Sequence, residues 1–163
     1  EMGVSMAAVS KWETGNSMPD IIMLCALADY FKVTTDELLG RNRMEEFVIC
    51  DDAQLVREAL QYIIANEGYP NIVLTESGKQ LSDVLEKKKP YAVFLDVNLP
   101  DADGLELLRR IKEQDPGIKV IMVTADTSEQ TRRRAVESGA DAYITKPFMA
   151  EHIVLALNHT RKL

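Results

Sequence analysis

The sequence has little of what marks secreted, membrane-spanning or nucleic-acid-coating proteins. It contains only two cysteines, Cys25 and Cys50, without metal-site spacing, which argues against a disulfide framework and favours reduced thiols. No apolar run reaches the roughly 18 residues that a membrane span needs, and no secretory signal peptide is visible. Lys and Arg number 19 against 26 Asp and Glu, for a net charge of −7, so any DNA contact must come from a local patch. We therefore expect a cytoplasmic protein with no membrane partner.

What the sequence does contain changes in character between residues 43 and 44. Before that boundary it has the pattern of short helices only. Ser5 can cap a first helix, Pro19 and Asp20 open a second, Gly15 separates the two, and Gly40 can end a third. The sequence predicts a small all-α segment over residues 1–43.

After the boundary, apolar strand-like runs alternate with amphipathic helical runs. We predict strands over 47–50, 71–74, 91–95, 119–123 and 141–145, and helices over 55–66, 81–88, 105–114, 128–138 and 150–160. Five strands that alternate with five helices indicate one doubly wound parallel sheet covered on both faces. The predicted fold class is α/β, with this domain spanning residues 44–163.

Chemically active side chains follow four of the predicted strands. Asp51 and Asp52 come after the first strand, Asp96 after the third, Thr124 ends the fourth, and Lys146 follows the fifth. Ligands of open parallel sheets bind outside the carboxyl ends of the strands, so we expect these side chains to converge. Three neighbouring carboxylates repel one another unless a cation lies between them, and oxygen ligands suit Mg²⁺ or Mn²⁺.

A carboxylate, a hydroxyl and an amine beside a divalent cation suit phosphoryl transfer. Asp96 can act as a nucleophile that forms an acyl phosphate, while the cation neutralises developing charge. Lys146 can pair with the phosphoryl group and Thr124 can donate a hydrogen bond to it. Each residue alone has a simpler explanation: an aspartate can cap a helix or form a turn, and a lysine can be a solvated charge. Their joint arrival at one sheet edge favours the site.

At these residues the second segment resembles the receiver domain of bacterial two-component response regulators. The matching stretches are VICDD at 48–52, FLDVNLPDADG at 94–104, VIMVTA at 120–125 and GADAYITKPF at 139–148. The resemblance runs from end to end of residues 44–163 and implies a flavodoxin-like fold. It also implies a cognate histidine kinase as partner.

The resemblance implies a role for each acidic residue. Asp96 would accept the phosphoryl group, and Asp52 and Asp96 would bind Mg²⁺ directly together with the backbone carbonyl of Asn98. Asp51 would act largely through a metal-bound water. The protein would be a phosphoacceptor with intrinsic autophosphorylation and autodephosphorylation, and not an enzyme with a separate substrate.

The resemblance further implies a switch. Thr124 and Lys146 would contact the phosphoryl group, and Tyr143 matches the aromatic residue that follows Thr124 inward. Asn98 and Asp126 occupy the two positions that tune phosphoryl lifetime in this family, and because both are polar we expect a short-lived phosphorylated form. The face that changes would include residues 132–134, three arginines that are either solvated or part of a homodimer surface.

Two other function classes are open from the residues alone. A phosphatase or phosphotransferase of the haloacid-dehalogenase type needs a second aspartate two positions after the nucleophile, where Asn98 stands. A flavin-binding domain of the same fold needs a Ser/Thr/Gly-rich phosphate loop after the first strand, where Asp51 and Asp52 would repel the phosphate.

The first segment resembles the later part of a phage-repressor-type (XRE-like) helix-turn-helix domain. The matching words are GVS at 3–5, AVSKWE at 8–13, Gly15, PD at 19–20, LA at 27–28, Phe31 and DELLG at 36–40. We expect the first helix and nearly all of the second to be missing. Ser5, Ser10 and Lys11 are the candidate DNA contacts. Two interpretations are possible. The protein is a transcription regulator that binds DNA only as the intact protein, or it is a receiver-based signalling protein whose first segment binds no DNA.

Overall fold

The computed structural model describes residues 5–14, 16–32, 35–38 and 45–160 of the chain. The chain divides into two compact units, Glu1–Arg43 and Met44–Leu163. Among the helices of the described ranges, none is long and apolar enough to cross a membrane.

The first unit is helical, as the sequence predicts. Its helices are α1 (Met6–Glu13), α2 (Ile21–Phe31) and α3 (Thr35–Leu38). The Ser5 side chain accepts a hydrogen bond from the amide of Ala8 at 3.2 Å, and Asp20 accepts one from Met23 at 2.8 Å. The predicted N-cap Ser5 is therefore confirmed, and Asp20, which was predicted to open the second helix, is its N-cap. Each satisfies an amide that the first helical turn leaves unpaired. The predicted helix ends at Gly15 and Gly40 lie outside the described residues.

The second unit is one five-stranded parallel sheet with helices on both faces. The strands are β1 (Phe47–Cys50), β2 (Ile72–Thr75), β3 (Ala92–Leu95), β4 (Lys119–Thr124) and β5 (Ala142–Thr145). The helices are α4 (Gln54–Asn66), α5 (Gly78–Leu85), α6 (Gly104–Gln114), α7 (Glu129–Glu137) and α8 (Ala150–Thr160). The strand order is β2-β1-β3-β4-β5, which confirms the predicted flavodoxin-like fold class. The order reverses between β1 and β3, so the binding crevice of such a sheet lies where these two strands end.

Helix α5 begins three residues before its predicted start. The sequence predicts a helix over 81–88, but the structure has Gly78–Leu85, with Ser77 as N-cap. The reason is a contact from elsewhere in the chain: the carboxylate of Asp101 accepts hydrogen bonds from the amides of Gly78 at 2.8 Å and Lys79 at 2.9 Å. These bonds satisfy two unpaired amides of the first turn and stabilise a start that glycine disfavours.

The core consists of two apolar layers, one on each face of the sheet. Val48 and Cys50 of β1 point into the layer covered by α5, α6 and α7, whereas Phe47 and Ile49 point into the layer covered by α4 and α8. All four are fully buried, because a strand in the middle of a parallel sheet faces helices on both sides. The central strands are therefore firmly held, and their carboxyl ends are fixed in position.

The first turn of α6 lies directly against the backbone that follows β3. The amide of Gly104 donates a hydrogen bond to the carbonyl of Val97 at 2.8 Å. A Cβ atom at residue 104 would overlap the carbonyl oxygen of Asp96 and lie 2.7 Å from the Cα of Val97. Only glycine allows this approach, so the position of Asp96 depends on the absence of a side chain at residue 104.

We expect the substitution Gly104→Ala to destabilise the second unit by about 2 kcal/mol or more, because the new methyl group must displace backbone atoms. The measurement is urea unfolding of the full chain, monitored by circular dichroism. Gly117→Ala is the matched control: its Cβ would meet a side-chain oxygen, Oδ1 of Asp115, at 3.1 Å and not the backbone, and we expect a change within about 0.5 kcal/mol. Equal effects of the two substitutions would contradict the close-approach argument.

Candidate functional site

The acidic residues lie at the reversal of strand order because the strand pairing continues past the strand ends. The amide of Asp51 donates to the carbonyl of Thr75 at 3.2 Å, and the amide of Asp96 donates to the carbonyl of Cys50 at 3.0 Å. Asp51 and Asp96 are thus extensions of the adjacent strands β1 and β3. The structure brings their side chains together, as the sequence predicts.

Lys146, which follows β5, places its ammonium group against these two carboxylates. Its backbone amide donates to the carbonyl of Thr124 at 2.8 Å, which places it at the end of β5. Its Nζ lies 2.5 Å from Oδ2 of Asp51 and 2.5 Å from Oδ2 of Asp96. The Asp51 side chain is only 1% exposed, so this ion pair lies largely out of water.

The cluster has the donor set of a divalent-cation site. One carboxylate oxygen each from Asp51, Asp52 and Asp96 lies within 4.8 Å of the others. The Oδ2 atom of Asp51 is buried and has no hydrogen-bond partner within the described part of the chain, although the ammonium of Lys146 is within ion-pair distance. Three negative charges face one positive charge, and a hard cation that prefers oxygen ligands would balance them. The residues therefore fit Mg²⁺ or Mn²⁺.

Burial affects the protonation of Asp51 and Lys146. It raises the pKa of the Asp51 carboxyl, and the charge of Asp96 acts in the same direction, while the contact with Lys146 and the amide of Ala53 partly offset both. Burial alone would lower the pKa of Lys146, but its contacts with Asp51 and Asp96 and the charges of these two carboxylates outweigh burial, and that pKa is raised. Lys146 therefore stays an ammonium at neutral pH, and ionised Asp51 is held in an unfavourable place.

Thr124 and Tyr143 are connected to each other through Asp126. The Thr124 hydroxyl is buried and accepts a hydrogen bond from the amide of Asp126 at 3.2 Å. The Tyr143 hydroxyl donates to the carbonyl of Asp126 at 2.7 Å. The Asp126 carboxylate accepts hydrogen bonds from the amide of Ser128 at 2.7 Å and the hydroxyl of Thr131 at 2.6 Å. A movement of Thr124 therefore has a direct path to Tyr143 on β5.

The remaining predicted site residues are exposed. The amide of Asn98 donates to Oδ1 of Asp96 at 3.3 Å, which holds the Asn98 backbone beside the acidic cluster. Ser10 and Lys11 lie on the surface of α1, and the exposed Ser5 side chain serves as its N-cap. Arginines 132–134 are all exposed on α7.

Two residues near the site were not singled out from the sequence. Arg57 donates to the backbone carbonyls of Asp51 and Asp52, and Asp101 fixes the loop after Asp96 to the start of α5. Neither belongs to the acid, hydroxyl or amine set on which the prediction rested. The available signal was position: Arg57 lies in the second turn of the helix that follows the acidic pair, and Asp101 lies in the loop after Asp96.

Family comparisons agree with this geometry. Residues 47–158 match the response regulator receiver domain, and residues 1–38 match a helix-turn-helix family. The chain is 33% identical over 119 residues to the chemotaxis protein CheY of Listeria monocytogenes, covering 73% of this chain and 100% of that protein. It is 33% identical over 110 residues to a probable transcriptional regulatory protein, TcrX, of Mycobacterium tuberculosis, covering 68% of this chain. The match spans 47% of TcrX, about half its length.

Solved structures give the same result. A DNA-binding response regulator of the LuxR family from Staphylococcus aureus matches with a TM-score of 0.67 and 30% identity, over 72% of this chain and 98% of that one. The BeF3-activated receiver domain of DrrB matches with a TM-score of 0.68 and 26% identity, over 74% of this chain and 100% of that one.

We expect Asp51→Asn to raise the melting temperature of the cation-free protein at pH 7 by roughly 4 °C, or about 1 kcal/mol, because it removes a buried charge that Asp52 and Asp96 repel. Because the pKa of Asp51 is raised in the folded protein, folding favours the protonated carboxyl over the ionised one. This contribution to stability is present at low pH and is lost as the pH rises through the folded pKa. The difference from the wild type should therefore shrink as the pH is lowered.

The measurement is thermal unfolding in EDTA at pH 7 and at a series of lower pH values, repeated with excess Mg²⁺. Mg²⁺ should raise the melting temperature of the wild type and have much less effect on the variant, because only the folded wild type binds it well. Asp83→Asn, at an exposed acid of α5, is the control for a simple change of charge. A variant that melts below the wild type in EDTA at pH 7 would count against an unfavourable Asp51 charge.

Proposed function

The chain belongs to the family of response regulator receiver domains, and we propose that it is a two-component signalling protein in which Asp96 accepts a phosphoryl group from a cognate histidine kinase. The observation that carries this proposal is the convergence of the Lys146 ammonium on the carboxylates of both Asp51 and Asp96. A lysine held between two buried acids, beside a third, is arranged to exchange one acidic partner for a phosphoryl oxygen.

The proposed transfer uses the groups that converge at the ends of β1, β3 and β5. An oxygen of Asp96 attacks the phosphorus, the bond from phosphorus to the donor nitrogen breaks, and the donor histidine keeps the electron pair. Asp51, Asp52, Asp96 and the backbone carbonyl of Asn98 would hold a Mg²⁺ or Mn²⁺ ion, which when bound neutralises charge on the phosphoryl oxygens. Lys146 moves from the carboxylate of Asp96 to a phosphoryl oxygen, since both are anionic acceptors within its reach.

The signal then passes to β5. Thr124 turns its hydroxyl toward the new phosphoryl group and releases the amide of Asp126. The Asp126 carbonyl is also the acceptor for the Tyr143 hydroxyl, so the orientation of Tyr143 changes with it. The result is a shift between two conformations of the surface formed by α7, β5 and α8, and the exposed arginines 132–134 lie on α7 of that surface.

The support for a particular output of the switch comes from the first unit and from relatives that are longer than this chain. A helix-turn-helix match and a relative named as a transcriptional regulator support a role in controlling transcription. DNA would then be contacted by the first unit, with the exposed residues Ser5, Ser10 and Lys11 as the candidate contacts. The alternative is a cytoplasmic receiver-based protein that signals through protein contacts, including those of a homodimer. Its first unit would then bind no DNA. In either case the chain is a phosphoacceptor that catalyses its own phosphorylation and dephosphorylation, and not an enzyme with a separate substrate.

We expect the full chain to gain the mass of one phosphoryl group when it is incubated with acetyl phosphate and Mg²⁺. Asp96→Asn should abolish this gain, because an amide cannot form the acyl phosphate. Intact-protein mass spectrometry measures the adduct, and Asp83→Asn serves as a matched control that should be labelled like the wild type. Lys146→Met should reduce labelling strongly, because it removes the positive charge beside the acceptor. Undiminished labelling of Asp96→Asn would place the acceptor elsewhere.

We also expect the phosphoryl group to be lost within minutes after acetyl phosphate is removed in the presence of Mg²⁺. The side chains of Asn98 and Asp126 are polar and can help to orient the attacking water. Asn98→Leu keeps the backbone amide that contacts Asp96 and should lengthen the half-life several-fold, as measured by mass spectrometry over time. A wild-type half-life of many hours would contradict this expectation.

A further inference from the structure

Arg57 contacts the backbone of both acidic residues at the end of β1. Its Nη1 donates to the carbonyl oxygen of Asp51 at 2.7 Å and to that of Asp52 at 2.9 Å. Its side chain is only 14% exposed, and its Nη2 lies 3.8 Å from the exposed carboxylate of Glu76. One guanidinium nitrogen therefore holds two consecutive carbonyl groups from the second turn of α4.

The loop between β1 and α4 depends on such a contact. The N-cap of α4 is Ala53, which makes no side-chain hydrogen bond, so this helix start lacks the usual cap. The amide of Ala53 donates instead to Oδ1 of Asp51 at 3.0 Å. The orientation of the Asp52 side chain, which is exposed, follows from the two peptide planes that flank it. Arg57 fixes the carbonyls of both planes.

The charge of Arg57 and its hydrogen bonds act in opposite directions on a cation bound beside Asp51 and Asp52. A positive charge near the site repels a divalent cation and weakens its binding. A contact that holds the ligands in place strengthens binding, as groups that orient metal ligands from behind generally do. Replacing Arg57 can therefore tighten or weaken cation binding, according to which effect is larger.

We propose that Arg57 is a positioning residue of the cation site, which holds the main chain of Asp51 and Asp52 so that their carboxylates converge with that of Asp96. The two hydrogen bonds are short, and the Arg57 side chain is largely buried. This inference rests on the proposed function, because it requires that the acidic cluster binds a divalent cation.

The test measures Mn²⁺ binding to the full chain by electron paramagnetic resonance of the free ion, for the wild type, Arg57→Lys and Arg57→Met. We expect both variants to bind Mn²⁺ about tenfold more weakly, because methionine has no donor and lysine keeps the charge but its Nζ ends one bond short of the position of Nη1, the nitrogen that donates to both carbonyls. If charge were the larger effect, Arg57→Met would bind Mn²⁺ more tightly and Arg57→Lys would bind like the wild type. That pattern, or unchanged affinity in both variants, overturns the proposal.

A second readout separates positioning from general stability. In acetyl phosphate labelling, the half-saturating Mg²⁺ concentration should rise about tenfold in Arg57→Lys, while the rate at saturating Mg²⁺ stays near that of the wild type. A residue that only stabilises the fold would lower the melting temperature without moving either metal affinity. Glu76→Gln is the control for the other contact of Arg57 and should leave Mn²⁺ affinity unchanged.

The outcomes also separate this proposal from the proposed function. A wild-type protein that binds no Mn²⁺ overturns both, because no cation site would then exist to be positioned. Wild-type binding with unaltered Arg57 variants overturns the role of Arg57 alone. If Arg57→Met fails to fold, as circular dichroism would show, Arg57→Lys decides the question, because it keeps the long stem and the charge.

Discussion

The repulsion among the three carboxylates at the ends of β1 and β3 is the constraint on which this protein depends. Parallel pairing of the two strands places Asp51 and Asp96 side by side, and the loop that follows β1 adds Asp52. The ammonium of Lys146 balances part of this charge, and burial makes the remainder costly. A fold that keeps such a cluster gives up stability in order to hold a site with a strong need for positive charge.

The backbone around Asp51 and Asp96 is held by contacts that leave its position little freedom. The Thr75 hydroxyl donates to the carbonyl of Ile49 at 3.1 Å, which joins β2 to β1 just before the acidic pair. Gly104 lets α6 approach the backbone of Asp96, and Asp101 attaches the same loop to α5. Because the like charges would otherwise drive these loops apart, rigid anchoring of the main chain is the condition for keeping the carboxylates together.

The sheet and the acidic cluster could be predicted because their signals are local. The apolar runs of the strands are short and nearly unbroken, and Asp51, Asp96 and Lys146 stand directly after them, so the rule that ligands bind at strand ends was enough. The ion pair of Lys146 with both acids follows from that same convergence. The strand order that brings the residues together was implied only by the resemblance to receiver domains, because alternating strands and helices with right-handed crossovers leave more than one topology open.

The errors and omissions have two causes, which are contact between residues far apart in the sequence and contact with main-chain groups. The start of α5 was placed too late because the hydrogen bonds that favour it come from Asp101, which lies 23 residues from Gly78. Arg57 was overlooked because its partners are main-chain carbonyls, and a carbonyl has no letter in the sequence. Side-chain chemistry can be read from residue types, whereas the groups that orient it become visible only in three dimensions.

The bond from Asp101 to the first turn of α5 links two parts of the molecule that would otherwise behave independently. Asn98, Asp101 and the backbone after Asp96 lie in one loop, and the amides of Gly78 and Lys79 are satisfied by that loop. Whatever shifts the loop must therefore loosen the beginning of the helix as well. The exchange of these two amide protons with solvent is accordingly a reporter of events at the acidic cluster, located in a helix that contributes no ligand to it.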